Sequence, residues 1–195
     1  MQYFPLFETL CIEKGRWQNL DYHQARINRS LKEYYGCCFP FISLEKIIHM
    51  HNTLLSLDNN TLFRCRLDYN NQDYHIQIFP YVRKEYKNFQ PVICNNIDYH
   101  LKYNNRQLLN ELLKQKGNCD EIMIIKDGYV TDCSIGNLLF RNGDVWFTPN
   151  TPLLKGTQRE KLLAEKKIIE TTILLKDLQK FSEIRLINAL NPFDI

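Results

Sequence analysis

Lysine, aspartate, arginine and threonine occur in this chain in settings where each has a specific chemistry available. Lys102 stands in Tyr99-His100-Leu101-Lys102-Tyr103-Asn104-Asn105-Arg106. A lysine among aromatic and apolar residues can lose water and shed its proton, as an imine-forming amine must, although most lysines are simply solvated. Asp132 closes a strand-like run and precedes Cys133-Ser134-Ile135-Gly136-Asn137. A carboxylate there can pair with a cationic ring nitrogen or merely hold a turn. Arg26 shares one helix face with Tyr22 and Ser30; its fork suits a phosphate, and an ion-paired arginine has the same pattern. Gly156-Thr157 opens a helical pattern, where bare N–H groups and the positive dipole end favour an anion. An ordinary helix cap reads the same way. Arg64 and Arg66 fall on one strand face, because strand side chains alternate. That suits an anionic ligand or a solvated sheet surface. The five histidines, His23 among them near a helix start, form no set.

Other chemistries are excluded by absence of their motifs. The chain has no G-x-S-x-G, Walker loop, H-E-x-x-H or G-x-G-x-x-G. Its seven cysteines are odd in number and lack C-x-x-C or Cys/His ligand spacing, which points to reduced thiols in a cytoplasmic protein and to no metal site. The 25 basic and 22 acidic residues leave a net charge of +3, too weak and dispersed for nucleic acid or an anionic membrane as main partner. No apolar run is long enough for a bilayer, and the start has no secretory pattern. With 195 residues, 44% hydrophobic and 24% charged, the chain can build a sizeable core.

The elements that position these residues follow from periodicity. A strand over 3–13 ends at Lys14-Gly15. Asp21 caps a helix reaching Gly36, with Leu20, Ile27, Leu31 and Tyr34 inward. A second helix spans 43–57, with Leu44, Ile47, Ile48, Leu54 and Leu55 inward. Strands at 61–69 and 74–81 flank the turn Asn70-Asn71-Gln72-Asp73. The charged stretch 82–90 separates two halves: an N-terminal α/β domain over 1–83, a linker over 84–90, and a C-terminal α/β domain over 91–195 that carries Lys102. The second half begins with a strand near Val92 and a helix over 106–116. A strand over 121–125, the hairpin turn Asp127-Gly128 and a return strand over 129–132 follow. After a turn at Asn142-Gly143 comes a strand over 145–148. Thr157-Gln158-Arg159-Glu160 has capping-box form and opens a helix to about Lys167. The tail alternates strand, short helix and strand, the last over 184–190.

Taken in order, these residues resemble class IV aminotransferases, the fold-type IV enzymes that use pyridoxal 5′-phosphate (PLP). Phe7-Glu8-Thr9-Leu10 and then His23-x-x-Arg26-x-x-x-Ser30 are similar to the family's opening. Lys102 matches its Schiff-base lysine. Glu121, and then Asp127-Gly128-x-Val130-Thr131-Asp132-x-Ser134-x-x-Asn137-Leu138, match the block with the pyridine-nitrogen carboxylate. Thr148-Pro149, Lys155-Gly156-Thr157-Gln158-Arg159 and Asn188-Ala189-Leu190 match the elements around the phosphate. The resemblance implies an α/β fold of the D-amino acid aminotransferase type, with Lys102 catalytic. It implies that Arg26, Lys102, Asp132, Ser134, Asn137, Gly156, Thr157 and Asn188 bind PLP. It further implies a small-molecule amine substrate whose carboxylates meet Arg64, Arg66 or Arg159, and a homodimer.

Lys102-Tyr103-Asn104-Asn105-Arg106 and Asn188-Ala189-Leu190-x-Pro192 resemble the 4-amino-4-deoxychorismate lyase branch, which forms 4-aminobenzoate and pyruvate. A transaminase of D- or branched-chain amino acids and a non-catalytic PLP-binding protein are the alternatives. Two departures stand out. The family's usual carboxylate is Glu where this chain has Asp132, and the family's strand and loop before F-E-T are expected to be missing.

Overall fold

The computed structural model describes residues 3–36, 42–51 and 61–193. Helices and strands are mixed in two compact units, as the α/β reading requires. The first unit comprises Met1–Arg83 with Leu101–Asn105, and the second Lys84–His100 with Arg106–Ile195.

In the first unit, β1 (Leu6–Glu13) and β2 (Arg16–Trp17) form a two-residue hairpin. Lys14 and Gly15 both have positive φ there, which matches the twist of the flanking strands. Helix α1 (Leu20–Tyr35) and helix α2 (Leu44–His51) follow, then β3 (Phe63–Tyr69) and β4 (Tyr74–Pro80). The sheet order is β2-β1-β3-β4, antiparallel throughout. Leu6, Leu10 and Ile12 of β1 pack with Ile27 and Leu31 of α1 and Leu44 and Ile47 of α2. Asn70 organises the β3–β4 turn, its side-chain oxygen accepting the N–H groups of Gln72 and Asp73 at 2.8 and 2.7 Å.

Two details differ from the sequence reading. Asn19, with φ 56°, stands at the N-cap of α1, so Asp21 lies inside the first turn and does not cap it. Tyr34 is 41% exposed, while its neighbour Tyr35 packs on the core. Leu54 and Leu55 lie outside the described residues.

The second unit opens with β5 (Phe89–Ile93), α3 (Gln107–Leu113) and a 3₁₀ turn at Lys114–Lys116. Next come β6 (Glu121–Lys126), β7 (Tyr129–Val130), β8 (Asn137–Asn142) and β9 (Val145–Pro149). Helix α4 (Thr157–Ala164), β10 (Ile169–Thr171), a 3₁₀ turn at Leu175–Lys180 and β11 (Glu183–Ile187) complete it. One sheet runs β5-β6-β7 and the other β10-β9-β8-β11. Strand β8 is absent from the sequence reading, because Asn137, Leu138, Leu139 and Phe140 are all buried. A strand covered on both faces shows no alternation.

The return strand after Asp127-Gly128 is shorter than expected. Ile124 donates to Asp132 O at 2.8 Å and accepts from Thr131 N at 3.0 Å, two residues against one as in a β-bulge. Helix α4 is capped by Gly156 and ends at Ala164, so Thr157 is its first residue and not its cap.

The domain reading is corrected in two places. Residues 84–90 belong to the second unit, with Phe89 and Gln90 already in β5. Leu101–Asn105, and Lys102 with it, belong to the first unit. The cause is packing: Leu101 is 5% exposed in the first core, Tyr103 lies against that core, and the segment pairs with β1. Among the described residues, no helix is long and apolar enough to cross a membrane.

Candidate active site

In the first unit, Lys102 is held by its own backbone. Its carbonyl accepts from Phe7 N at 3.0 Å, and Asn104 N donates to Pro5 O at 2.8 Å. Tyr103 bridges Leu6, so this short segment lies along β1 as a strand-like strap. The Lys102 ammonium is 4.8 Å from the centre of the Phe7 ring. The next residue of β1 anchors a second group. Glu8 is fully buried and accepts from Arg26 Nε at 2.7 Å, from Arg26 Nη2, and from His23 Nδ1 at 2.7 Å. Helical spacing puts His23 and Arg26 on the same face of α1. Burial alone would push the Glu8 carboxyl up, but the charge of Arg26 and the bonds from His23 and Arg26 hold it down at about 2. The buried His23 ring sits below its usual pKa because desolvation outweighs the pull of Glu8, so a neutral ring donates through Nδ1–H.

In the sequence Glu8 and His23 stand in the family-like opening, with no role attached to either. The H-x-x-R spacing was the available signal, since two buried nitrogen bases one turn apart require an acidic partner.

Arg64 and Arg66 share the outer face of β3 with Asp68, as alternation predicts. Arg64 is exposed, its guanidinium 5.3 Å from the centre of the Phe79 ring. Arg66 is committed inside the protein, to Asp68 through Nε at 2.9 and 3.1 Å and to Asn104 through Nη2.

In the second unit, the bulge delivers Asp132 to a knot of hydrogen bonds. Its Oδ1 accepts from Asn137 Nδ2 at 2.7 Å and its Oδ2 from Leu154 N at 2.9 Å. Asn137 also donates to Leu154 O at 2.9 Å and accepts from Gly156 N at 3.1 Å. Asp132, Asn137 and Gly156 are therefore brought together, with Thr157 beginning α4 beside them. Asp132 is 5% exposed. Burial pushes its carboxyl up to about 7, and the bonds from Leu154 and Asn137 and the charge of Arg159 offset this only in part. Among the described residues no cation forms an ion pair with it.

Ser134 donates to Glu121 Oε2 at 2.9 Å, so its hydroxyl braces the loop after Asp132. Asn188 donates to Ile135 O at 3.2 Å and accepts from the N–H groups of Leu190 and Asn191, both at 2.9 Å. Its side chain shapes the last loop. The expectation for Arg159 is corrected. Only 2% exposed, it donates to Pro149 O at 3.0 Å and to Glu170, tying α4 to β9 and β10, so it is a strut and not a surface for substrate.

Comparison with known proteins identifies the family and the fold. The family profile for amino-transferase class IV matches residues 5–193. An uncharacterised protein of Haemophilus influenzae is 57% identical over 189 residues, 96% of this chain and 98% of its own length. The crystal structure of a proposed 4-amino-4-deoxychorismate lyase from Haemophilus somnus is 54% identical, with a TM-score of 0.95 over 99% of this chain and 100% of that one. A hypothetical aminotransferase from Mycobacterium tuberculosis, in its PLP-bound form, shares the fold at 15% identity, with a TM-score of 0.80 over 97% of this chain and 78% of that one. The fold is that of fold-type IV, as the motif order implied. The chain belongs to the class IV amino-transferase family, a family of PLP-dependent enzymes.

Proposed function

We propose that this enzyme is a PLP-dependent lyase that converts 4-amino-4-deoxychorismate to 4-aminobenzoate and pyruvate. The observation that carries the cofactor reading is Asp132. A buried carboxyl with both oxygens fixed by donors, raised to about 7 and in no ion pair among the described residues, fits a group that brings a protonated ring nitrogen. The lyase reading is supported by the 54% identity to the proposed lyase from Haemophilus somnus and by the Asn105-Arg106 pair after Lys102.

The residues divide the work as follows. In the first unit, Lys102 Nζ would hold the cofactor, then take the proton from the amine-bearing ring carbon and deliver it to the methylene carbon of the enolpyruvyl group as that group's C–O bond to the ring breaks, which leaves the aromatic amine and pyruvate. Arg26, its orientation fixed by Glu8, holds phosphate. In the second unit, Asp132 keeps the ring nitrogen protonated. Ser134 and Asn137 keep Asp132 in place, Gly156 gives its N–H to Asn137 and so draws the start of α4 to the same knot, and Thr157 and the Asn188 loop are the residues that would meet the phosphate. When bound, PLP supplies the electron sink for charge left at the substrate carbon. Arg64, the exposed arginine of β3, is the candidate for a substrate carboxylate. The same reading implies a homodimer, which light scattering would detect as twice the 23.4 kDa chain mass.

The test has two steps. Protein incubated with PLP and then borohydride is expected to carry a stable adduct at Lys102 in peptide mapping, and Lys102→Ala is expected to carry none. Loaded enzyme given aminodeoxychorismate is then expected to release 4-aminobenzoate. Amino transfer that depends on a keto acid, without 4-aminobenzoate, would replace the lyase with a transaminase. An adduct with no turnover of any amine would leave a PLP-binding protein.

A further inference from the structure

The resemblance makes Arg66 a candidate for the substrate's carboxylate, but its surroundings give it another task. Its Nε faces both oxygens of Asp68, at 2.9 and 3.1 Å, and its Nη2 lies 2.8 Å from Asp68 Oδ1. The pair is half-buried, and its charges cancel, so little net attraction remains for a free carboxylate. The same Nη2 donates to Asn104 Oδ1. Asn104 is two residues beyond Lys102, and every polar atom of its side chain is engaged. Its Nδ2 donates to Phe4 O and to Asp68 Oδ1, both at 2.9 Å, while its backbone N–H reaches Pro5 O. The guanidinium carbon of Arg66 lies over the Phe7 ring, 4.1 Å from its centre, and the same ring meets the Lys102 side-chain nitrogen. Phe7 N in turn donates to Lys102 O. One guanidinium thus touches both neighbours that fix the Lys102 strap.

We propose that Arg66 is a positioning residue for Lys102, clamping Asn104 and Phe7 so that the strap stays on β1, and that it does not contact the substrate. The part concerning catalysis rests on the cofactor reading above; the clamp itself does not. Arginine is needed because only its fork serves Asp68 and Asn104 at once while its cation lies over the Phe7 ring.

The experiment compares wild type with Arg66→Ala, Arg66→Lys and the neighbouring Arg64→Ala. Amide hydrogen exchange is measured without added PLP. In Arg66→Ala the N–H groups of Phe7 and Asn104 are expected to exchange about tenfold faster or more, with Leu10 to Ile12 of the same strand unchanged. Arg66→Lys is expected to show the same effect more weakly, and Arg64→Ala none. Unchanged exchange at Phe7 and Asn104, or an equal rise along all of β1, would overturn the clamp.

In a second arm, PLP and borohydride are applied to each variant. Arg66→Ala is expected to need about tenfold more PLP for half-maximal adduct at Lys102. Adduct formation equal to wild type, together with a raised KM alone, would make Arg66 a substrate residue and sink the proposal. If wild type itself formed no adduct, the cofactor reading would fall, and the exchange arm would still decide the clamp.

Discussion

Asp132 and Glu8 are both buried carboxyls, and their partners send them in opposite directions. Glu8 has two basic neighbours and sits at about 2 against an ordinary 4.5. Among the described residues Asp132 has neutral donors, Asn137 and Leu154, in contact, and it sits at about 7 against an ordinary 3.8. The two therefore give opposite pH limbs. Glu8 is depressed, so its contribution is present above pH 4.5 and is lost as pH falls towards 2. Asp132 is raised, so its contribution is full below pH 3.8, declines as pH rises to about 7, and levels off above that. Urea unfolding of the cofactor-free protein is expected to lose a few kcal/mol between pH 4 and 7 from Asp132 alone, on the order set by its pKa shift. Asp132→Asn should flatten that limb, and Glu8→Gln should flatten the acid one. A wild-type curve parallel to Asp132→Asn across pH 4 to 7 would mean that the carboxyl is not desolvated. At this scale Lys102 and Asp132 were legible from their place in a motif series. The Glu8–His23–Arg26 group was not, because its bonds span 15 and 18 residues and no local pattern encodes which strand position faces a helix.

Glycine explains how separate elements meet around Asp132. A Cβ on Gly156 would lie 2.1 Å from Asn137 Oδ1, and one on Gly136 would lie 2.4 Å from Ile187 O. Both glycines were visible in the sequence, but there they read as helix-start and loop residues. Close approach between β8 and the start of α4 is a tertiary fact that spacing does not carry. Strand β8 escaped notice for a related reason, since burial on both faces erased its alternation, whereas the hairpins at Lys14-Gly15 and Asp127-Gly128 announce themselves through residues that accept positive φ. Gly156→Ala is expected to displace Asn137 and cost about 1–3 kcal/mol in urea unfolding, as overpacking does. It should also weaken PLP binding, because Asn137 anchors Asp132. Gly143→Ala is the contrast. Its φ is 60° with nothing within 4 Å, so only backbone strain of about 1–2 kcal/mol is expected, with PLP binding unchanged. Equal PLP affinity for both variants would remove the link between Gly156 and the Asp132 knot.

The path of the chain makes the two units unequal in what each loses when the other unfolds. The chain passes between them at Arg83–Lys84, His100–Leu101 and Asn105–Arg106. The sequence suggested a single boundary near 84–90, because charge and missing periodicity mark where a chain leaves a core. Nothing local marks the return of Leu101–Asn105, whose alternation is only Leu101 and Tyr103 around the lysine. That return has an energetic consequence. If the second unit unfolds, the strap stays on β1 only by closing a loop of about 17 residues, at roughly 2–3 kcal/mol of chain entropy, or it leaves and forfeits the burial of Leu101. If the first unit unfolds, the second closes a loop of only about five residues, at a smaller cost. Against a total stability of about 5–15 kcal/mol this difference is measurable. The two tryptophans report on it, since Trp17 packs on the first core and Trp146 lies in a core of the second unit. In urea, the Trp17 fluorescence of Trp146→Phe is expected to change at or below the midpoint at which Trp146 fluorescence changes in Trp17→Phe. A Trp17 signal that persisted to higher urea would show that the first unit holds its strap without the second, and the lysine's position would then be independent of the fold around Asp132.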